Sequence, residues 1–150
     1  MTSLHEDFSA VILAAGKGTR MRSQIHKVLH PVGGRPMLLH LLHTLSFLKP
    51  QKTVIVAGDR KEQIEEAVGD QATIVSQMEQ LGTAHAVLQT EAELAGQGHN
   101  ILILFGDVPL VSSATIARLL QAIDTADGPA ISVLTFQPEE VGSYGRVLID

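Results

Sequence analysis

Short runs of apolar residues alternate along this chain with stretches in which apolar residues recur at helical spacing. Five short runs are continuously apolar, which is typical of parallel strands buried on both faces. These runs are Ala10–Ala15, Thr53–Ala57, Ala72–Ser76, Ile101–Phe105 and Ala130–Phe136. Their alternation with amphipathic stretches predicts an α/β fold, a three-layer Rossmann-like sandwich around a mostly parallel, mixed sheet.

Four helices are predicted between these strands from helical periodicity, proline positions and capping residues. The first is expected from Pro36 to just before Pro50, and the second from a cap at Asp59 to about Val68, where Gly69 ends it. The third is expected over Thr83–Ala95, and the fourth over roughly 113–126 after a cap at Ser112 or Ser113. No internal repeat or linker interrupts this order, so we expect one domain.

Three informative segments follow predicted strands. They are the loop at residues 13–21, the segment Gln77–Ala86 and the segment Gly106–Leu110. Ligands of open parallel sheets bind at the carboxyl ends of the strands. Because those ends share one edge, we expect the three segments to form a single site.

The first of these loops suits a polyphosphate. Its glycines allow backbone N–H groups to approach a ligand closely, and basic side chains stand beside them. No Asp or Glu occurs from Phe8 to Gly58, although this stretch holds seven of the eleven Lys and Arg residues. They are Lys17, Arg20, Arg22, Lys27, Arg35, Lys49 and Lys52. The whole chain has a formal net charge of -5, so segregated positive charge favours a small anion over a nucleic-acid polymer.

Two familiar phosphate loops do not fit these residues. A dinucleotide fingerprint needs a third glycine where this chain has Met21, and it needs an acidic residue about 20 positions later. A Walker loop needs Ser or Thr after its lysine, whereas Lys17 is followed by Gly18. The loop therefore belongs to another class of phosphate-binding sequence.

Composition excludes several other classes. Aromatic residues make up 3% of the 150 residues, too few for the stacking platforms that bind single-stranded nucleic acid. Cysteine is absent, which excludes disulfides and zinc–thiolate sites. The histidine pairs His40/His43 and His26/His30 lack a third ligand and do not favour a metal site. Without a signal segment or a long apolar stretch, we expect a cytoplasmic protein that does not contact membranes.

The loop resembles the signature of sugar nucleotidyltransferases. Leu-Ala-Ala-Gly-Lys-Gly-Thr-Arg-Met at 13–21, followed by Lys-Val-Leu at 27–29, carries this similarity. Gln-Leu-Gly-Thr-Ala-His-Ala at 80–86, Gly-Asp-Val-Pro-Leu at 106–110 and Tyr-Gly-Arg at 144–146 narrow it. Together they resemble the uridyltransferase domains of the bifunctional bacterial enzymes that make UDP-N-acetylglucosamine. The resemblance implies that residues 1–150 are a partial nucleotidyltransferase domain, without its C-terminal part or an acetyltransferase domain, and that this piece is not expected to form an oligomer.

The resemblance implies transfer of UMP from UTP to N-acetylglucosamine 1-phosphate, with Mg²⁺ as cofactor. It implies catalytic roles for Arg20 at the β- and γ-phosphates and for Lys27 near the α-phosphate, and a sugar contact at Gly145. Nucleotide contacts are implied at Leu13, Ala14, Ala15, Gly16, Lys17, Gly18, Lys27, Gln77, Gly82, Thr83, Phe105, Gly106 and Asp107. The alternatives are another nucleotidyltransferase with a different base or acceptor, or a nucleotide-binding module without turnover.

Two of these roles also follow from residue chemistry, and each has an ordinary structural alternative. Asp107 ends a buried strand, where a lone carboxylate needs a partner such as Mg²⁺; otherwise it is a turn residue or helix cap. Gln77 can both donate to and accept from a uracil edge, and Gly82 admits a base without a Cβ clash. The alternative there is a simple strand-to-helix turn with Thr83 as the helix N-cap.

Overall fold

The computed structural model describes residues 7–16, 18, 21–96, 100–123, 129–142 and 144–148. Its strands are β1 (Phe8–Ala14), β2 (Pro31–Val32), β3 (Arg35–Pro36), β4 (Thr53–Ala57), β5 (Thr73–Ser76) and β6 (Asn100–Phe105). Its helices are α1 (Met37–Leu48), α2 (Lys61–Val68), α3 (Thr83–Leu88), α4 (Glu91–Leu94) and α5 (Ser113–Ile123). Four of the five predicted strands are thus confirmed, with ends shifted by no more than two residues.

A four-stranded sheet with the order β5-β4-β1-β6 forms the middle of the domain, and every pair in it is parallel. β1 is a central strand: Ala10 lies opposite Thr53 of β4 on one side and opposite Leu102 of β6 on the other. β2 and β3 form a separate antiparallel hairpin. The loop after β1 therefore starts in the middle of the sheet edge, between the ends of β4 and β6.

Helices cover both faces of the sheet, which confirms the three-layer prediction. On one face, Ala10 and Ile12 of β1 pack with Leu41 of α1, Ile64 of α2 and Ile116 of α5. On the other face, Val11 of β1 and Val54 of β4 pack with Ala86 of α3 and Leu94 of α4. Since successive side chains of a strand point to opposite faces, β1, β4 and β5 contribute to both cores. β6 contributes to the first core alone, and on its other face Ile101, Ile103 and Phe105 are exposed.

Helix α1 occupies the predicted range, whereas the Asp59 cap is corrected. α2 begins at Lys61 behind Arg60, which adopts a left-handed conformation with φ 60° and gives no side-chain cap. Gly69 ends this helix as predicted. Ser112 caps α5, because its Oγ accepts the Thr115 N–H at 3.1 Å. None of the helices in the described residues is long and apolar enough to cross a membrane.

The predicted helix Thr83–Ala95 is two helices. α3 ends at Leu88 and α4 starts at Glu91, with Gln89 and Thr90 between them. Thr90 is buried, and its hydroxyl donates to the Val87 carbonyl at 2.7 Å. A side chain that bonds to a preceding carbonyl competes with the helical ladder, so the helix breaks there.

The predicted strand Ala130–Phe136 is wrong: residues 129–142 form neither helix nor strand. This segment borders β6 and α5 around an apolar cavity of about 800 Å³. Its own side chains stay outside the core, with Ile131 75% and Phe136 65% exposed. An apolar run is stable as a parallel strand when both of its faces are covered, and this burial is missing here.

Candidate active site

A cavity of about 380 Å³ opens at the carboxyl edge of the sheet. Its lining comes from the loop after β1, the short turn at Lys27–Leu29, the segment between β5 and α3, and the end of β6. The lining residues are Leu13, Ala14, Ala15, Gly16, Lys27, Val28, Gln77, Gln80, Gly82, Thr83, Ala86, Phe105 and Asp107. The structure thus brings the three predicted segments into one site, whose volume falls within the range of about 300–1,000 Å³ for small-molecule sites.

The floor of the cavity is fixed by hydrogen bonds that extend the sheet past its strands. The Gly106 N–H donates to the Leu13 carbonyl at 2.9 Å, beyond the end of β6. The Gln77 N–H donates to the Ala57 carbonyl at 2.7 Å, beyond the end of β5. These two bonds continue the hydrogen bonding of the sheet, so they hold the backbone in place just before Asp107 and at Gln77.

Lys27 and Asp107 form an ion pair across the cavity. Lys27 Nζ lies 2.5 Å from Asp107 Oδ2, and the two side chains are 34% and 40% exposed. Lys27 starts a single 3₁₀ turn whose next residue, Val28, is buried in the core. The pair joins residues that are 80 positions apart, and the fold rather than local sequence brings them together.

Gly18 allows Lys27 to take this place. Gly18 has φ +57°, and a Cβ on it would lie 2.8 Å from Lys27 Cβ. Real Cβ atoms do not approach so closely, so any larger residue would displace the lysine stem or the loop. Its predicted contact with the nucleotide stays a prediction, as do those of Lys17 and Arg20, which lie outside the described residues.

Asp107 fits a magnesium ion that is held mainly by phosphate. It is the acidic residue of the cavity lining, and the described residues contain no group of three His, Cys, Asp or Glu that could hold a metal by itself. Mg²⁺ keeps several waters and is commonly bound by one or two carboxylates together with substrate phosphates. A single exposed carboxylate is therefore a suitable donor for Mg²⁺ that is bound together with a nucleotide. It does not suit a metal that takes all of its ligands from protein side chains.

The other end of the cavity is built around Gln77. This side chain is 4% exposed, and its Nε2 donates to the Gly82 carbonyl at 3.2 Å. Gly82, not Thr83, is the N-cap of α3, and Thr83 is the first helical residue. A Cβ at Gly82 would meet nothing within 4 Å, but φ is +108° there. Glycine is therefore required by the backbone conformation rather than by crowding within the protein.

Three of the described residues with a predicted role do not line this cavity: Gly18, which lines a second cavity, Gly106 and Gly145. Gly145 lies among exposed residues and does not line it, so its contact with a sugar stays a prediction. Gly106 lies behind the lining, where its N–H bonds to Leu13. Three lining residues, Val28, Gln80 and Ala86, were not among the predicted site residues. Gln80 is the polar one of these, and its Nε2 donates to the Ala15 carbonyl at 2.5 Å. The sequence feature that could have identified Gln80 is its amide side chain, which lies in the same loop as Gln77.

A second, polar cavity of about 360 Å³ includes Gly18 in its lining. His26, Asp59 and Arg60 line it as well. His26 is 4% exposed, and its Nδ1 accepts the Val28 N–H at 3.4 Å, which caps the turn that carries Lys27. Burial, and after it the Arg60 guanidinium, lowers the pKa of His26, while Asp59 acts in the opposite direction. The folded chain therefore favours neutral His26.

We expect the free energy of unfolding to fall as the pH drops below about 6.5, because the unfolded chain then binds a proton that folded His26 resists. The substitution His26→Asn keeps an acceptor for the Val28 N–H but cannot titrate, so it should reduce this pH dependence. Urea unfolding of both proteins at about pH 5.5 and about pH 8 measures the difference. Equal pH dependence in the two proteins would contradict a role for His26.

Comparison with known proteins places this site in a family. Residues 10–145 match the family described as MobA-like NTP transferase domain. The chain is 49% identical over 147 residues to the bifunctional protein GlmU of Sphingopyxis alaskensis, which covers 98% of this chain. The chain spans 33% of the length of that protein.

Solved structures agree with the observed fold. A nucleotidyl transferase from Methanothermobacter has a TM-score of 0.63 and 30% identity, covering 77% of this chain and 57% of its own. Rv0371c of Mycobacterium tuberculosis, solved in complex with manganese, has a TM-score of 0.63 and 21% identity, covering 77% of this chain and 59% of its own. At 21% identity, the similarity to Rv0371c shows a shared fold alone. With a family match over most of its length, the chain belongs to the MobA-like NTP transferase domain family.

Proposed function

We propose that this domain transfers UMP from UTP to N-acetylglucosamine 1-phosphate and releases pyrophosphate. The observation that carries the proposal is the single cavity in which the glycine-rich loop, the Lys27–Asp107 pair and Gln77 meet. These three parts match the needs of a nucleotidyl transfer, namely a phosphate cradle, compensating charge and a polar contact for a base. The motif resemblance and the 49% identity to a bifunctional protein GlmU support the choice of substrates.

The reaction needs alignment and charge compensation more than proton transfer. An oxygen of the acceptor phosphate attacks the α-phosphorus of UTP and forms a new P–O bond. The bond from that phosphorus to the bridging oxygen of the β-phosphate breaks, and pyrophosphate leaves with the electron pair. The attacking oxygen is already anionic, so no general base is required.

Lys27 supplies positive charge at the reacting phosphates. Its ammonium group extends from a turn anchored by buried Val28, so it is held in place before substrate arrives. In the ligand-free chain it is paired with Asp107, and an incoming triphosphate offers it a second set of anionic partners. Arg20 would hold the β- and γ-phosphates from the loop that precedes this turn.

Asp107 would hold a divalent cation when the nucleotide is bound. Mg²⁺ there would neutralise charge on the phosphates in the transition state. The structure of Rv0371c with manganese supports a divalent metal in this fold, and the choice of Mg²⁺ rests on the donor set of one carboxylate with phosphates.

The uracil would lie at the Gln77 end. Leu13 and Ala14, at the end of β1, line the same cavity, and their backbone groups would contact the base and the ribose. Phe105 lines the cavity from β6. Gly145 is proposed as a contact for the acceptor sugar.

Pyrophosphate release tests the proposal. The chain is incubated with N-acetylglucosamine 1-phosphate and Mg²⁺ together with UTP, CTP or GTP, and we expect release to be fastest with UTP. Faster turnover with CTP or GTP would contradict the uridylyl assignment. Calorimetry with UTP tests the alternative, because binding without pyrophosphate release would identify a nucleotide-binding module instead of an active enzyme.

A further inference from the structure

A histidine that does not line the cavity contacts the side chain that faces the proposed base. His85 lies on α3, half-buried, and its Nδ1 is 3.0 Å from Gln77 Nε2. The same Gln77 nitrogen lies 3.2 Å from the Gly82 carbonyl oxygen. On the far side of the ring, Gln89 Nε2 is 3.2 Å from His85 Nε2 and 3.0 Å from the His85 carbonyl oxygen.

The hydrogen-bonding capacity of the His85 ring limits it to one acceptor nitrogen. A neutral imidazole has one lone-pair nitrogen and one N–H, so it cannot accept from an amide nitrogen on both sides. The Gly82 carbonyl fixes the Gln77 amide with its nitrogen toward the loop and the ring, because the reversed amide would place two oxygens in contact. The Gln77–Nδ1 contact, at 3.0 Å, is shorter than the Gln89–Nε2 contact, at 3.2 Å, and therefore favours Nδ1 as the acceptor and Nε2 as the protonated nitrogen. In this tautomer Gln89 bonds to the His85 carbonyl and not to the ring.

We propose that His85 is a positioning residue for base selection, acting through Gln77; this inference rests on the proposed function. A primary amide nitrogen carries two hydrogens, and Gly82 and His85 use both. The carbonyl oxygen is therefore the polar atom that Gln77 offers to the cavity. Gln77 acts as an acceptor there, although its side chain could in principle present either end.

A fixed acceptor distinguishes pyrimidines at ring position 3. Uracil carries an N–H at this position and donates to the Gln77 oxygen. Cytosine carries a lone pair at the same position, which repels that oxygen and leaves a buried polar group unpaired. His85 thus supports selection of uracil without touching the nucleotide.

Binding of UTP and CTP to the 150-residue chain tests this role without requiring turnover. Calorimetry should show preference for UTP in the wild-type chain and a loss of about tenfold in the UTP-to-CTP affinity ratio in His85→Leu, the expected effect of one polar contact. His85→Asn places an amide oxygen close to the former Nδ1 and should restore most of the ratio. Gln89→Leu is the matched control, because it removes the amide on the opposite side of the ring and should leave the ratio unchanged.

The outcomes separate this role from the proposed function. A wild-type chain that binds UTP and CTP equally overturns both. A preserved preference for UTP in His85→Leu, or an equal loss in Gln89→Leu, overturns the role of His85 alone. Should His85→Leu fail to fold, the ¹⁵N chemical shifts of the wild-type imidazole decide the matter: the Nε2–H tautomer supports the proposal and the Nδ1–H tautomer overturns it.

Discussion

Replacing Lys27 with alanine is expected to lower the rate of pyrophosphate release at least about a hundredfold, which is the usual effect of removing one group that stabilises transition-state charge. The ammonium group lies in the cavity, 2.5 Å from Asp107, where the phosphates of a bound nucleotide would lie. The fold should survive, because an ion pair as exposed as this one contributes only about 0–1 kcal/mol to stability. Pyrophosphate release and urea unfolding, measured on the same preparation, check the two halves of this expectation.

The chain offers a matched control in Lys52→Ala. Lys52 Nζ lies 2.5 Å from Glu93 Oε2, and these side chains are 32% and 34% exposed. Charge, pair distance and exposure therefore resemble those of the Lys27–Asp107 pair, but neither residue lines the cavity. Equal loss of activity in the two variants, or a normal rate in Lys27→Ala, would refute the catalytic role of Lys27.

The sequence predicted the arrangement of the site because that arrangement depends on strand order alone. Once Leu13, Gln77 and Asp107 were assigned to the ends of parallel strands, the geometry of a sheet required them to share an edge. The hydrophobic signal was strong at β1 and β4, whose side chains are buried on both faces, whereas β6 alternates between buried and exposed side chains. Prediction succeeded where burial follows directly from the local pattern.

The partners within the site could not be predicted in this way. The Lys27–Asp107 distance depends on a turn anchored by Val28 and on the open space beside Gly18, and no spacing rule connects residues 80 positions apart. The side-chain bonds of His85 were equally impossible to predict from the sequence. Side-chain contacts between elements that are distant in sequence can be identified only from the three-dimensional structure.

The errors in the helices and strands also have physical causes. Thr83–Ala95 has a continuous helical pattern, but the buried Thr90 hydroxyl bonds to a backbone carbonyl and breaks the helix. Ala130–Phe136 has the composition of a strand, but the described structure leaves most of its side chains exposed. In both cases tertiary surroundings outweighed local propensity.

Replacing Asp107 with asparagine should lower turnover about a hundredfold or more and raise the Mg²⁺ concentration required for half-maximal rate. Asparagine keeps the size of the side chain and one oxygen, so the change removes mainly the charge. Titration of Mg²⁺ at saturating UTP measures both effects, and removal of Mg²⁺ by a chelator should abolish turnover of the wild-type chain. Glu93→Gln is the matched control, since it neutralises the carboxylate of the other half-exposed pair.

In the absence of nucleotide, Lys27→Ala and Asp107→Asn should change the affinity for a divalent metal in opposite directions. In the ligand-free chain Lys27 occupies the Asp107 carboxylate, so Lys27→Ala should bind Mn²⁺ alone more tightly than the wild-type chain does, and Asp107→Asn should bind it more weakly. A purely structural ion pair predicts no change of metal affinity in either variant. Opposite shifts in metal affinity, combined with a loss of turnover in both variants, would show that Lys27 and the metal compete for the Asp107 carboxylate in the ligand-free chain. A bound triphosphate would end this competition by binding both Lys27 and the metal.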